Sequence, residues 1–292
     1  MMTLPILFGA NVDPVWNPAD GPVRRAQEAE RLGLDMITIQ DHLYQPAFYD
    51  AWTLLTYIAA RTEKITIVPT VATLPLRPPA VLAKAAASLD LLTGGRIQLG
   101  LGGGAFWDAI AAMGGPRRTP REAVDSLAEA IDVIRAMWSG QRSVRTGGHY
   151  YQLAGTHPGP QPGPALGIWL GAYGPRMLAL TGAKADGWLP SLGYLGLDKL
   201  RAASRRIDEA AEQVGRDPAQ LRKVYNINGF IGAESREQFA GSVRQWTEQL
   251  ISVVTNYGMN GFAYWPADDH DAQIARFAHE VVPAVREALA AA

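Results

Sequence analysis

The hydrophobic positions of this chain alternate between two spacings. Short runs of β-branched and aliphatic residues are each followed by a longer segment in which apolar residues recur every three or four positions. The first spacing predicts buried strands, and the second predicts amphipathic helices. A regular alternation of the two is typical of βα units that build a parallel sheet.

Eight such units can be counted along the chain. The predicted strands cover residues 6–12, 34–40, 65–70, 96–101, 167–171, 186–190, 223–231 and 262–265. The predicted helices cover residues 22–32, 51–61, 81–92, 120–138, 175–183, 200–214, 235–254 and 272–289. Eight strands alternating with eight helices predict an α/β protein whose residues 1–292 form a single (β/α)8 TIM barrel with insertion loops.

Helix starts and one irregular segment refine this prediction. Thr119 stands three residues before Glu122, and Ser235 stands three residues before Gln238, so both pairs have the spacing of a capping box. Residues 141–166 are rich in Gly and Pro with short β-like pieces. We interpret them as an insertion into the barrel and not as a domain boundary.

The length of the chain is consistent with a barrel, and its net charge excludes some classes of partner. The 292 residues suit either two ordinary domains or one barrel of about 250 residues with insertions, and the strand count favours the barrel. Apolar residues make up 48% of the chain, which indicates a core-forming globular protein. The formal charge of -1 provides no overall field for nucleic acid or an anionic membrane, so we expect neither as a partner.

The chain has no cysteine, which excludes disulfides, thiolate nucleophiles and iron–sulfur clusters. Any redox chemistry must therefore come from a bound cofactor. The histidines and carboxylates show no metal-ligand spacing, so no metal is expected. The first residues lack a basic signal-peptide region, and no apolar run approaches the roughly 20 residues that span a bilayer. We therefore expect a cytoplasmic protein.

The chemistry of such a barrel lies at the carboxyl ends of its strands. Asp41 and His42 follow the second strand and form the most reactive pair, because histidine exchanges protons near neutral pH and a carboxylate can orient it. The alternative is a histidine that only bonds loop carbonyls. Other polar or glycine-rich strand ends are Asn11, Asp13, Gln40, 70–73, 102–108, 171–176, 188–194, Asn226, Asn228, Trp265 and Asp268.

Two glycine-rich strand ends predict ligand contacts. Residues 100–105 match the glycine pattern of a dinucleotide-binding fingerprint. That fingerprint requires a helix directly after the glycines and an acidic residue at the end of the next strand, and the sequence has neither. A planar ligand beside the glycine backbone fits the segment better. Residues 171–176 run from a strand into a helix, whose first N–H groups can hold a phosphate with help from Arg176. The alternative is an ordinary Gly-Pro turn. Nearby aromatic residues predict a flat, aromatic-lined cleft: Trp16, Phe106, Trp107, Trp188, Tyr194 and Trp265.

Three segments together resemble a known family. They are ITIQDH at 37–42, the run ITIVPTVATLPLRPPAVLAKAAASLDLLTGGRIQLGLGGG at 65–104, and IWLGAYGPRMLALTGAKADGW at 168–188. Along nearly its whole length the chain resembles the bacterial luciferase-like family of flavin- or deazaflavin-dependent oxidoreductases. This resemblance implies a (β/α)8 barrel and, by analogy with the family, a possible homodimer.

The cofactor expectation rests on this resemblance. An Asp-His pair after the second strand resembles the branch that uses the deazaflavin coenzyme F-420, whereas monooxygenases that use flavin mononucleotide (FMN) often have Glu-His there. The resemblance therefore implies hydride transfer between coenzyme F-420 and a small alcohol, carbonyl or activated alkene. The alternatives are an FMN-dependent monooxygenase and a non-catalytic flavin-binding barrel.

The resemblance also implies residue roles. His42 would be the catalytic proton acceptor or orienting group, Asp41 would contact the polar edge of the ring, and the Thr70–Val71 bond would be a non-proline cis peptide behind it. Tyr173, Gly174 and Arg176 would hold the phosphate. The full cofactor-binding set is Asp41, Thr70, Val71, Ala72, Gly103, Asp108, Tyr173, Gly174, Pro175 and Arg176.

One position departs from the sugar-phosphate dehydrogenases of this family. They have an acidic catalytic residue after the glycine-rich strand, but Ala105 occupies that place here and Asp108 lies three residues on. Oxidation of glucose 6-phosphate is therefore not expected. The aromatic residues Phe106 and Trp107 of the same loop imply a fairly apolar substrate.

Overall fold

The computed structural model describes residues 4–291, which form a barrel of parallel strands surrounded by helices. The first half contains β1 (Leu7–Asn11), α1 (Gly21–Arg31), β2 (Met36–Ile39), α2 (Ala51–Ala59), β3 (Thr66–Pro69), β4 (Ala72–Thr73), α3 (Pro79–Thr93), β5 (Leu99–Gly102), α4 (Trp107–Ala112) and α5 (Pro120–Trp138). The second half contains β6 (Val144–Thr146), β7 (Leu153–Thr156), β8 (Ile168–Leu170), α6 (Pro175–Lys184), β9 (Gly187–Trp188), α7 (Leu197–Glu212), β10 (Arg222–Ile231), β11 (Ala240–Gly241), α8 (Val243–Tyr257), β12 (Gly261–Pro266), α9 (His270–Arg276) and α10 (Val282–Ala290).

The barrel strands follow the order β3-β2-β1-β12-β10-β9-β8-β5-β4, with parallel neighbours throughout. A bridge between Ile67 and Ile97 closes the circle, where the Ile67 N–H donates to the Arg96 carbonyl at 2.8 Å. β3 and β4 are two pieces of one strand, separated by the Thr70–Val71 peptide bond, which is cis. The predicted (β/α)8 barrel and this cis peptide are both confirmed.

Two apolar clusters hold the barrel together. The larger one packs the outer faces of the strands against the surrounding helices. The smaller one contains side chains from strands on several sides of the barrel, as expected for residues that fill its interior: Met36, Val68, Trp169, Leu189, Val224 and Ala263. Both faces of the strands are therefore buried, which explains why their sequences read as nearly continuous apolar runs.

The helix predicted at 235–254 begins later than expected, and the capping box predicted at Ser235 is wrong. α8 starts after Ser242, whose side chain accepts the N–H of Gln245 in a capping box. The Gln245 side-chain oxygen also accepts the N–H of Ser235 at 3.1 Å, so that donor is satisfied without a helix. The intervening chain forms β11, which extends the sheet beside β10.

The remaining predicted elements occur within a few residues of their expected bounds, and the capping box of Thr119 and Glu122 is confirmed. The segment 141–166 contains the antiparallel pair β6 and β7. The sequence did not predict α4, which is only six residues long. No helix within residues 4–291 is long and apolar enough to cross a membrane. Location in the cytoplasm stays a prediction.

The closeness of two strands at Gly100 gives a stability prediction. A Cβ at this position would lie 1.8 Å from the Pro69 carbonyl oxygen and 3.0 Å from Leu189 Cδ1. Because neither backbone can move without disturbing the barrel, Gly100→Ala should lower the free energy of unfolding by about 3 kcal/mol, measured by urea denaturation. Gly147→Ala is the control, since a Cβ there meets no heavy atom within 4 Å. Equal midpoints for the two variants would contradict the prediction.

Candidate active site

A cleft of about 460 Å³ opens at the carboxyl ends of the barrel strands. This is the end at which barrels of this type place their chemistry. Its lining residues are Gln40, His42, Tyr44, Thr70, Val71, Thr73, Gly102, Gly103, Gly104, Ala105, Phe106, Ile110, Gly171, Tyr173, Gly174, Met177, Leu189, Ser191, Tyr194 and Trp265. None of these is Asp, Glu, Lys or Arg, so the cleft wall formed by the described residues has no permanent charge.

His42 lies on this wall directly after β2. Its Nδ1 is 2.7 Å from the hydroxyl oxygen of Tyr44, and the ring of Phe106 packs edge-on against it with centroids 5.5 Å apart. Burial lowers the pKa of His42, while the negative charge of Asp41 opposes this shift without cancelling it. The imidazole is therefore neutral at pH 7 and can exchange a proton with a bound ligand.

Asp41 has neighbours other than those implied by the resemblance. Its carboxylate is 1% exposed and does not line the cleft. Both oxygens accept hydrogen bonds from Arg77 at 2.8 Å, and Oδ2 also accepts the N–H of Thr73 at 2.9 Å. A buried carboxylate requires such a charged, hydrogen-bonded partner. Asp41 thus joins the ends of two strands behind the cleft, and its contact with a cofactor ring stays a prediction.

Arg77 also fixes the far end of the loop that carries His42. Its guanidinium bonds Asp50, which caps α2 by accepting the N–H of Thr53 at 2.8 Å. Burial would raise the pKa of Asp50, but the hydrogen bonds from Arg77 and Thr53 outweigh burial and lower it. Asp50 is therefore ionised at neutral pH. The loop 41–50 is held at both ends by one arginine.

The loop after β5 contributes apolar side chains to the cleft. Phe106 and Ile110 are one helical turn apart around the start of α4, and both line the cleft. Asp108 points the other way: its side chain is 91% exposed and forms an ion pair with Arg117. The sequence placed Asp108 in the cofactor set, but the short helix turns it to solvent. Ala105 lines the cleft.

The segment after β8 lies beside the cleft and a second depression. Tyr173 and Gly174 line the cleft, whereas Pro175 and Arg176 line an adjoining groove of about 520 Å³, which we call the side groove. A Cβ at Gly174 would meet no heavy atom within 4 Å, so the start of α6 is open to a ligand. Arg176 pairs with Asp125 at 2.6 Å. The two depressions share four lining residues: Gly103, Gly104, Gly174 and Met177.

Val71 is enclosed by two glycines. A Cβ at Gly102 would lie 2.5 Å from Val71 Cγ2, and one at Gly171 would lie 3.3 Å from both Cγ atoms. The glycines therefore leave room for the Val71 side chain, which lines the cleft together with Thr70; we call these two residues the floor. Ala72, which the resemblance also placed at the cofactor, is buried in β4 and does not line the cleft.

Asn226 carries an unsatisfied polar atom behind the floor. This buried side chain donates to Ser191 Oγ at 3.2 Å and to Thr70 Oγ1 at 3.4 Å, and both partners line the cleft. Its Oδ1 is buried and accepts no hydrogen bond within residues 4–291. From the sequence, Asn226 is predicted only as a strand-end residue. Whether its side-chain oxygen finds a hydrogen-bond donor depends on which strands lie beside it in the fold.

The predicted aromatic residues divide into two groups. Phe106, Tyr194 and Trp265 line the cleft, and Trp107 lines the side groove. Trp16 and Trp188 instead bond the carbonyls of Pro46 and Ala172. Four other strand-end residues do not line the cleft: Asn11, Asp13, Asn228 and Asp268.

Sequence reasoning missed Tyr44 altogether. The only signal available was its position two residues after a reactive histidine. The part of the chain that the structure describes contains no group of three or more His, Asp or Glu side chains that could hold a metal ion.

Known proteins resemble this chain in sequence and in fold. The sequence model of the luciferase-like monooxygenase family matches residues 4–290. The chain belongs to this family. Two relatives within it are an F-420-dependent glucose-6-phosphate dehydrogenase from Amycolatopsis mediterranei and an F-420-dependent hydroxymycolic acid dehydrogenase from Mycobacterium tuberculosis.

The first relative is 32% identical over 204 residues, which are 67% of this chain and 61% of the relative. The second is 33% identical over 241 residues, which are 80% of this chain and 65% of the relative. The chain thus matches less than two thirds of the length of each. Among solved structures, an F-420-dependent secondary alcohol dehydrogenase in complex with an F-420-acetone adduct has a TM-score of 0.83 at 19% identity. The alignment covers 97% of this chain and 100% of that one, which shows a shared fold.

The buried position of the Arg77–Asp41 pair gives a second stability prediction. Arg77→Met leaves the Asp41 carboxylate buried without its partner and should lower the free energy of unfolding by about 3–5 kcal/mol in urea denaturation. Adding Asp41→Asn should recover part of this loss, because the buried charge is removed as well.

Arg24→Met is the matched control for the arginine substitution. The Arg24–Asp20 pair is 64% and 68% exposed, so its loss should change the free energy of unfolding by about 1 kcal/mol or less. Similar losses in the two arginine variants would show that Arg77 does not stabilise a buried charge.

Proposed function

We propose that this protein is an oxidoreductase that binds coenzyme F-420 and transfers hydride between it and a small, uncharged alcohol, ketone or activated alkene. The observation that carries the proposal is a neutral histidine on the wall of an uncharged cleft in a luciferase-like barrel. Relatives from two organisms that are named F-420-dependent dehydrogenases support the choice of cofactor.

The residues around the cleft fit a deazaflavin. The floor at Thr70 and Val71 would contact one face of a flat ring, and the neighbouring Gly102 and Gly171 have no side chains to block its approach. Asn226 donates to Thr70 Oγ1 and Ser191 Oγ, so these two hydroxyl groups on the cleft wall are held in place as polar contacts for the ring. Gly174 and Arg176 would hold the phosphate beside the side groove.

When bound, the deazaflavin supplies a hydride donor or acceptor that reacts poorly with oxygen. The chain itself handles the substrate oxygen and its proton. His42 would form a hydrogen bond to that oxygen and exchange a proton with it, which is worth about 10²–10⁴-fold in rate for a well-placed general acid or base. Arg77 holds the loop that carries His42, and Phe106 packs edge-on against the imidazole.

The lining of the cleft favours an uncharged, fairly apolar substrate. The described residues of the cleft wall include no Lys or Arg that could neutralise a sugar phosphate. Burying the phosphate charge in this cleft would therefore cost binding free energy. Ala105 and Phe106 present apolar side chains to the cleft. We therefore propose that glucose 6-phosphate is not a substrate, although one relative is named for that activity.

Cofactor titration and a substrate panel test the proposal. We expect added coenzyme F-420 to bind with a change in its violet absorbance band, and reduced F-420 to be consumed with apolar ketones or enones. Oxidised F-420 with glucose 6-phosphate should give no detectable turnover. Tight binding of FMN with oxygen-dependent turnover would favour a monooxygenase instead, and binding of F-420 without turnover of any substrate would favour a non-catalytic barrel.

Substitution of His42 should separate catalysis from binding. His42→Ala should lower the rate by about 100-fold or more, since proton exchange with the substrate oxygen is lost, while the dissociation constant for F-420 changes little. Arg176→Ala is the complementary variant and should weaken F-420 binding without changing the rate of the saturated complex. The rates come from single-turnover absorbance and the affinities from titration. Unchanged turnover in His42→Ala would exclude His42 from the mechanism.

A further inference from the structure

The hydrogen bond between His42 and Tyr44 connects the proposed catalytic group to a residue with no assigned role. Tyr44 lines the cleft, and its hydroxyl lies 2.7 Å from Nδ1 of His42. A turn in which the Gln45 N–H donates to the His42 carbonyl at 2.9 Å brings the two side chains together. Within residues 4–291 neither the tyrosine hydroxyl nor Nε2 of His42 has another hydrogen-bond partner.

Neighbouring aromatic rings hold this pair in place. The rings of His42 and Tyr44 lie 5.5 Å apart, and Phe106 packs against both, at 5.5 Å from His42 and 5.8 Å from Tyr44. Phe48 approaches His42 from another side at 6.4 Å. Contacts on several sides restrict rotation of the imidazole, so the nitrogen facing Tyr44 is fixed by packing as well as by the hydrogen bond.

Two proton arrangements are compatible with the short contact, and they differ in how many polar groups they satisfy. If the Tyr44 hydroxyl donates to Nδ1, only the N–H at Nε2 lacks a partner. If Nδ1 donates to the hydroxyl oxygen, both the tyrosine O–H and Nε2 lack one. A phenol is also a stronger donor than a neutral imidazole, and an imidazole nitrogen is the stronger acceptor.

The ionisation of both groups agrees with the first arrangement. Burial raises the pKa of Tyr44 to about 12, so its hydroxyl keeps its proton at neutral pH. Burial lowers the pKa of His42 against the opposing charge of Asp41, so Nδ1 is free to accept. Asp41 and, to a smaller extent, Tyr194 also raise the pKa of Tyr44.

We infer that Tyr44 is a positioning residue that fixes neutral His42 in the tautomer with hydrogen on Nε2, so that the histidine presents a hydrogen-bond donor to the cleft. This donor satisfies the oxygen of a ketone or enone, whereas an alcohol would also bring an O–H for which the histidine in this tautomer offers no acceptor. The tautomer itself does not depend on the proposed function. Its consequence for substrate choice rests on that function.

Nitrogen-15 NMR of the whole protein labelled at histidine tests the tautomer without any cofactor, with His42→Gln used to assign the signals. At pH 8 we expect Nδ1 of His42 to have the shift of an unprotonated nitrogen and Nε2 that of a protonated one. Tyr44→Phe should move the two shifts towards each other, because no hydroxyl then selects one tautomer. A protonated Nδ1 in the unmodified protein, or a spectrum unchanged in Tyr44→Phe, would overturn the inference.

Kinetics test the consequence for the substrate. Tyr44→Phe should lower kcat for reduction of a cyclic ketone by reduced F-420 by about 3- to 10-fold, the size of one neutral hydrogen bond, with F-420 affinity unchanged. Tyr44→Phe should also reduce the preference of the enzyme for a ketone over the matching alcohol, measured as the ratio of their inhibition constants. An unchanged preference together with an unchanged kcat would contradict the substrate consequence.

Tyr49→Phe is the matched control for both measurements, because its hydroxyl bonds the Ala19 carbonyl at 3.1 Å outside the cleft. It should leave the His42 signals and the kinetics as they are. If the unmodified enzyme turns over no ketone at all, the proposed function fails, and the nitrogen shifts still decide whether Tyr44 fixes the tautomer.

Discussion

The ion pair between Arg77 and Asp41 joins the end of the second barrel strand to the end of the third. Both oxygens of a carboxylate that is 1% exposed are bonded to the guanidinium, and the same guanidinium bonds Asp50 at the start of α2. Removing Arg77 would leave the buried Asp41 carboxylate without a charged partner, and removing Asp41 would leave Arg77 with Asp50 only, so the three groups constrain one another. The loop between Asp41 and Asp50 carries His42 and Tyr44, and its position on the cleft wall depends on this cluster.

This arrangement separates permanent charge from the place where chemistry is proposed. Ionised groups lie behind the wall, while the wall formed by the described residues is uncharged. Burial therefore dominates the pKa of His42 and keeps the ring neutral, although Asp41 is its neighbour in the chain. A neutral histidine in an apolar cleft suits hydrogen bonding and proton exchange with the oxygen of an uncharged substrate, and the same lack of charge disfavours an anionic one.

Sequence reasoning recovered the barrel because its signals are local and repeated. Each strand is a short apolar run and each long helix has a regular apolar face, so eight units could be counted without knowledge of their contacts. Where the signal was weak, the prediction was less accurate. α4 has only six residues, and the start of α8 depends on Gln245 satisfying the N–H of Ser235, a contact between residues ten positions apart.

The sequence by itself determined the fold class, the end of the barrel that carries the site, and the position of His42 after the second strand. These follow from periodicity and from the rule that parallel strands end together. Only the tertiary structure decided where individual side chains point. It turned Asp41 towards Arg77 and Asp108 towards solvent, and it placed Tyr44 against His42. The reason is physical: a residue's place along the chain fixes its neighbours in sequence, whereas the direction of a polar side chain depends on which donors and charges other segments bring within reach.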